Sequence, residues 1–370
     1  MKQVAREAAL PLAAIAAALG LFGIFVAFAG ANPLDVWLIL FKGAFGDWYS
    51  WQNTLQRAAP LMLTALCVAI PARAGLVVIG GEGALVLGGL ACAALAQGFS
   101  SSAGFVGTVF VCIAGAVAGA AWIALAGWLR QWRGVNETIS SLLLAYVAIG
   151  LFKHIVEGPL RDPASLNKPS THALAESLRI GGIAGSDVHW GLVLGVLACV
   201  VAALWLRWTP SGFSVRVVGG NLRAAQLVGL PATRLILVAC ALGGAAAGLA
   251  GAVEVAAVHT SANASLIAGY GYAGILVSFM ARHHPLAIIP VAILFGGFGA
   301  AGSLLQRRLG LPDASVVVLQ GIAFVLILAS EALRDVEWRA VWKRLSVIPG
   351  LTRDPRSLTW TPDQVRGDSP

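Results

Sequence analysis

The chain is 370 residues long, 58% hydrophobic and only 11% charged, with a mean hydropathy of +0.82 and a formal net charge of +8. Soluble domains carry about a quarter charged residues, so this composition excludes a soluble enzyme and describes a polytopic membrane protein. The basic residues fall in separate connections between apolar runs, which makes the charge a topology signal and not a nucleic-acid patch.

The first apolar run, 8–29, follows Lys2 and Arg6. It is longer than the apolar core of a signal peptide and reads as an uncleaved first helix. An outer connection over 31–56 is expected next, then apolar runs over 58–72 and 75–97. Pro60, Pro71 and Gly80-Gly81-Glu82-Gly83 interrupt this second block. Broken helices survive at membrane depth only where protein or a water cavity satisfies the freed backbone. Glu82 therefore reads either as a pathway carboxylate or as a charged turn close to Arg73.

The run 105–127 contains Gly115-x3-Gly119 and ends on Trp128, Arg130, Trp132 and Arg133. Asn136 and Glu137 open the next run, 138–152, as an N-cap and a dipole-complementing acid, or as polar pathway groups. Lys153 and His154 approach the outer surface, and a long polar outer segment follows over 156–188. After the run 189–206 comes a polar, Arg-bearing island, 209–234. Within it Gly219-Gly220-Asn221 precedes Leu222-Arg223-Ala224-Ala225, and Gly229-Leu230 closes the segment. Asn221 is a good N-cap for a short helix that can seat a partner protein. The other reading is a basic loop that only sets topology.

The run 235–253 holds Gly244-x3-Gly248 within LGGAAAGLAGAV, a surface suited to close helix packing. Glu254, His259 and Asn263 follow it, then Tyr270 and Tyr272 at the start of the run 268–281. Arg282-His283-His284-Pro285 reads as a cytoplasmic helix–helix turn, followed by the runs 285–302 and 316–330. Arg307 and Arg308 fall on the nominally outer side, against the charge pattern. Residues 336–345, with Trp338 and Trp342 four apart, form an interfacial amphipathic segment. The tail 346–370 has the composition of a disordered extension, with an interaction tail as the alternative.

The expected fold class is all-α, a polytopic membrane protein with about ten transmembrane helices, some broken or re-entrant. The positive-inside rule puts the Arg-bearing connections and both termini in the cytoplasm. Glu82 and Glu254 each follow a Gly-rich block, a weak echo that fits two related halves. The five cysteines all lie in apolar runs without metal or redox spacing, so no metal site is expected. No G-x4-G-K-[ST], HExxH or GxSxG occurs, and no catalytic residue is assigned. Ionisable and polar groups at depth are functional candidates by default. The candidates for a substrate pathway are Glu82, Asn136, Glu137, Glu254, His259, Tyr270 and Tyr272.

Three stretches resemble permease subunits of bacterial ABC importers for simple sugars and nucleosides, the branched-chain amino acid, ribose and nucleoside type. These are 55–85 (LQRAAPLMLTALCVAIPARAGLVVIGGEGAL), Val135-Asn136-Glu137-Thr138-Ile139, and Gly269-Tyr270-Gly271-Tyr272 with Arg282-His283-His284-Pro285-Leu286. The segment 209–234 is similar to the family's coupling loop. The chain departs from the family where Val77-Val78 replaces a Phe-Asn pair, Ala84 a Gln and His283 an Asn.

The resemblance implies a permease domain over 1–335 in the bacterial cytoplasmic membrane. It implies coupling to ATPase subunits through Gly219, Gly220, Asn221, Arg223, Ala224, Ala225 and Gly229. It further implies ATP and Mg on those subunits alone, a second permease subunit (homo- or heterodimer), and a periplasmic or lipid-anchored binding protein. The substrate class it implies is a nucleoside or simple sugar. An ion-coupled secondary transporter and a non-transport membrane scaffold are the alternatives.

Overall fold

The computed structural model describes residues 2–99, 104–165, 168–312 and 314–334, with side-chain surroundings from Ala13 to Ser330. The amphipathic segment 336–345 and the tail 346–370 lie outside the described residues. So do the side chains of Lys2 and Arg6.

The described residues are all-helical apart from connections and two isolated β-bridges. In chain order the α-helices are α1 (Lys2–Phe28), α2 (Pro33–Phe45), α3 (Trp48–Arg73), α4 (Gly81–Ala96), α5 (Gly104–Arg133), α6 (Glu137–Glu157) and α7 (Gly191–Trp208). Then follow α8 (Pro210–Gly220), α9 (Leu222–Leu227), α10 (Ala232–Val253), α11 (Tyr270–Met280), α12 (Pro285–Leu309) and α13 (Ala314–Arg334). Among the described residues six segments are long and apolar enough to cross a membrane: α3, α5, α6, α7, α12, and α10 extended to His259. Shorter apolar helices lie over Ala13–Phe28, Gly81–Ala96, Ala264–Met280 and Ala314–Ser330.

Two expectations are corrected. Residues 31–56 are not an outer connection. Asn32 accepts from the Leu34 N–H at 3.1 Å and caps α2, an apolar helix with buried Val36, Ile39 and Leu40. A membrane-length apolar window is too long to register thirteen residues broken by Asp35 and Lys42. Pro60 does not break its block either, because α3 runs through it to Arg73. The chain breaks only after that, over 74–80, where Leu76 and Val78 are buried on non-helical backbone.

Small residues set the packing. A Cβ at Gly119 would strike the backbone of Gly244 and Gly248, and one at Gly248 would strike Gly115 and Gly119. The two small-xxx-small motifs therefore pack against each other, and Gly88 of α4 meets Gly248 from another side. α10 thus sits at the centre, with α5, α4 and α3 around it. Arg307 and Arg308 stand in the last turn of α12, where basic side chains complement the helix dipole. Their place on the helix terminus accounts for them without reference to topology.

The polar segment 156–188 folds back onto the end of α10. Its Thr171, Leu174 and Ile180 N–H groups donate to the carbonyls of Ala262, Thr260 and Ala256.

Candidate functional site

Polar groups gather in three places, and the three stretches singled out in the sequence meet at the first of them. The break over 74–80 is held by the start of α6. Ile79 N–H donates to Ser141 Oγ at 3.1 Å, and Thr138 Oγ1 donates to the Val77 carbonyl at 2.9 Å. Glu137 accepts from Val77 N–H at 3.4 Å and is ion-paired to Arg130. Asn136 caps α6 through Thr138 and Ile139 N–H, at 2.9 and 3.2 Å.

The Glu82 carboxylate is fully buried and accepts from Gly269 N–H at 2.8 Å and Gly271 N–H at 2.6 Å. It closes the N-terminus of α11, where unpaired donors and the helix dipole favour an anion. Arg73 Nε donates to the His283 carbonyl at 2.9 Å. Glu137, in the helix that Asn136 caps, thus supports the broken segment, and Glu82 just beyond that segment holds the start of α11.

The second place collects Glu254, His259 and Tyr270. Glu254 Oε2 lies 3.6 Å from His259 Nε2. Five residues apart, the two would point well apart on a regular α-helix. Residues Glu254–His259 are wound as a π-helix, whose i→i+5 repeat brings them to one side. Thr260 then turns the chain at φ 56°.

Tyr270 packs against the buried cluster that includes Val253, Val255 and Ala256 on either side of Glu254. Arg57 and Tyr270 both line a cavity of ≈ 220 Å³ between α3, α11, α12 and α13, which also includes Gln320 and Ser303. Arg57 was missing from the expected pathway residues. Its signal was present, as a lone base three residues before Pro60 at the head of an apolar run.

Tyr272 stands apart from that cluster. The nearby Tyr146 is 61% exposed midway along α6. Tyr146 was also not singled out in the sequence, because a single tyrosine in an apolar run carries no spacing.

The third place is the segment 209–234, which as far as Pro231 lies outside the six long apolar segments. It is two helices, not one. Thr209 Oγ1 accepts from Gly212 N–H at 3.1 Å to start α8, and Asn221 Oδ1 accepts from Ala224 N–H at 3.0 Å to start α9. Gly219 and Gly220 therefore end α8, where the sequence suggested a loop. A Cβ on Gly219 would strike Arg73 and Gly75, so α8 rests directly on the end of α3. A Cβ on Gly220 would meet nothing within 4 Å, and Gly229 supplies a φ of +78° beyond α9. Ala225 is buried, whereas Arg223 and Ala224 are exposed. Leu227 and Val228 are 88% and 72% exposed, an apolar tip next to the charged Arg223.

His283 lies in the turn between α11 and α12 at φ 55°. Its Nδ1 is 2.9 Å from Ser278 Oγ. Burial, and then the charge of Arg73, pushes its pKa down to about 4. Among the described residues no group of His, Cys, Asp and Glu is arranged to hold a metal ion.

Residues 50–328 match the family described as branched-chain amino acid transport system / permease component. The chain is 31% identical to a glucose ABC transporter permease protein of Haloferax volcanii, over 97% of this chain and 94% of the relative. It is 27% identical to a guanosine ABC transporter permease protein of Bacillus subtilis, over 88% and 94% respectively. A probable riboflavin import permease protein of Treponema pallidum is 24% identical over 77% of this chain and 74% of its own length.

Proposed function

The chain belongs to the family of branched-chain amino acid transport system / permease components and is a permease subunit of an ABC importer; from that premise we propose that it moves a nucleoside or simple sugar inward across the bacterial cytoplasmic membrane. The observation that carries the proposal is the ≈ 220 Å³ cavity in which Arg57 and Tyr270 are presented among apolar helices. Hydroxyl-rich solutes need hydrogen-bond partners to replace water, and apolar helices alone supply none. The named relatives transport glucose and guanosine, both of which fit that chemistry.

Family membership brings an ATPase and a substrate-binding protein as partners. In the proposal, ATPase subunits carrying ATP and Mg dock on 209–234, with Gly219, Asn221 and Gly229 shaping the surface. Arg223, Leu227 and Val228 are its contact groups. Gly219 rests on the end of α3, and Arg73 on that end grips the α11–α12 turn, so movement of α8 reaches the helix that carries Tyr270. The chain hydrolyses nothing itself.

About ten spans in two related halves, with both termini cytoplasmic, complete the reading, together with a permease domain over 1–335 and a second permease subunit alongside. The test is uptake of labelled guanosine, adenosine and glucose by cells expressing the permease with its ATPase and binding protein. One of these should accumulate, and Glu254→Leu should stop it while the protein remains in the membrane. No uptake of any of the three by the assembled complex refutes the substrate class.

A further inference from the structure

α5 and α10 touch closely where a Cβ at Gly127 would strike Cys240. Beside that seam a groove of ≈ 450 Å³ opens between the same two helices. Ala124, Leu125 and Trp128 line it from α5, and Leu237, Val238 and Ala241 from α10. Leu125, Trp128 and Val238 are exposed, and the lining carries no charged or hydroxyl group.

One end of the groove is basic. On α10, Arg234 lies three, four and seven residues before Leu237, Val238 and Ala241, so it stands on the groove face one turn beyond the apolar lining. On α5, Trp132 follows Trp128 by one turn, and their rings stack with centroids 5.8 Å apart. Thr233 Oγ1 reaches Gln131 Oε1 at 3.5 Å, which sets the last turn of α5 beside the first turn of α10. Arg133 closes α5 at the same end. Arg133 and Arg234 are exposed, and no ion pair among the described residues engages either. Glu137, the next acid along the chain from α5, is held by Arg130.

We propose that this groove binds an anionic phospholipid, with one acyl chain along the α5–α10 seam and the headgroup phosphate on Arg234. Hydrocarbon suits the lining. A basic side chain beside tryptophans matches the headgroup layer, where indole rings settle and basic pockets between membrane helices take acidic headgroups. A guanidinium meets phosphate oxygens through paired N–H donors. A second copy of the chain suits the groove less well, because copies standing the same way up in one bilayer would set their Arg234 ends against each other. The site lies at the end of the molecule that carries 209–234 and does not depend on which solute is moved.

The test uses the full-length permease purified in detergent with its ATPase subunits. Lipid retained by the permease is counted by native mass spectrometry after titration with phosphatidylglycerol or with phosphatidylcholine of the same acyl chains. Glycerol phosphate, which has the charge without the chains, is the competitor. Phosphatidylglycerol should be retained, phosphatidylcholine should be lost on washing, and glycerol phosphate should not compete. Arg234→Gln should weaken retention about fivefold, the ordinary effect of one basic residue at an anionic headgroup. Val238→Trp, which fills the groove from an exposed position, should weaken it at least as far with Arg234 intact. Arg161→Gln, on the outer polar segment, should leave it unchanged.

Equal retention of the two lipids, or wild-type retention by Arg234→Gln, overturns the site. Competition by glycerol phosphate also overturns it, by making Arg234 a site for free phosphate. If Val238→Trp separates two permease copies and leaves retention unchanged, the groove belongs to a second copy and the lipid assignment falls. The unaltered protein gives a reading that no failure of a variant to accumulate can obscure. Phosphatidylglycerol with a photoreactive acyl chain should label α5 and α10 around Leu125 and Val238, and labelling confined to other helices overturns the proposal.

Discussion

Glu82 and Glu254 were equivalent in the sequence, each an acid after a glycine-rich block, yet their surroundings divide them. Glu82 has both oxygens occupied by backbone N–H groups of the α11 start. Glu82→Ala should leave two buried donors unpaired, each worth about 1–3 kcal/mol. The expected result is lower thermal stability and lower membrane abundance in proportion to lost uptake. Unchanged melting with abolished uptake would instead give Glu82 a direct part in transport.

His283 offers a pH test. Its folded pKa of about 4 lies below the ordinary histidine value, so the neutral form is favoured on folding. The associated stability is fully present above about pH 6.5 and is lost as pH falls toward 4. His283→Asn removes that liability and suits the left-handed backbone at φ 55°. Its melting temperature should exceed wild type at pH 5 by more than at pH 7.5. An equal difference at both pH values argues against a buried neutral histidine.

At the scale of elements, the α4–α5–α10 contact depends on the absence of side chains. Gly248→Leu should prevent accumulation in the membrane, since a side chain there meets the backbone of Gly115 and Gly119. Overpacking even a relaxed core costs about 1–3 kcal/mol, and backbone yields less than side chains. Gly220→Ala should be silent in abundance, because no atom lies within reach of the added Cβ.

The α9 tip makes a different forecast. Leu227→Asp with Val228→Asp should leave abundance unchanged, given their exposure, and should uncouple ATP hydrolysis from uptake. Co-purification of ATPase subunits with the variant, measured beside wild type, checks it. Equal recovery and normal coupling would mean that the tip contacts no partner. The helix of α9 and its Asn221 cap were legible from residue types alone. That Gly219 and Gly220 close a preceding helix was not, because two glycines read as a loop until their packing on Arg73 and Gly75 is known.

At the scale of the molecule, the proposed orientation predicts labelling. A cysteine at Ser170 should react from the periplasm, and one at Ser211 only after the cytoplasm is opened. Reaction of Ser211→Cys in intact cells would reverse the orientation and remove the docking role of 209–234. Ser170 lies on the polar segment that folds over the end of α10, where its carbonyl accepts from Asp162 N–H at 2.8 Å. Labelling there reports a folded outer cap and not a loose strand.

Composition and apolar run length by themselves determined a helical membrane protein, because the chain must satisfy its backbone internally wherever it meets hydrocarbon. Local chemistry determined the caps at Asn136 and Asn221 and the small-residue faces at Gly115, Gly119, Gly244 and Gly248. Each of these depends on neighbours within a turn or two. Only the tertiary structure decided that α2 is a helix, that α3 passes through Pro60, that Glu137 holds the chain break and that Glu82 holds the start of α11. It alone brought Arg57 and Tyr270, more than two hundred positions apart in the chain, to the wall of one cavity. Pairing of buried polar groups is settled by what lies opposite in space, and spacing along a sequence carries no record of that.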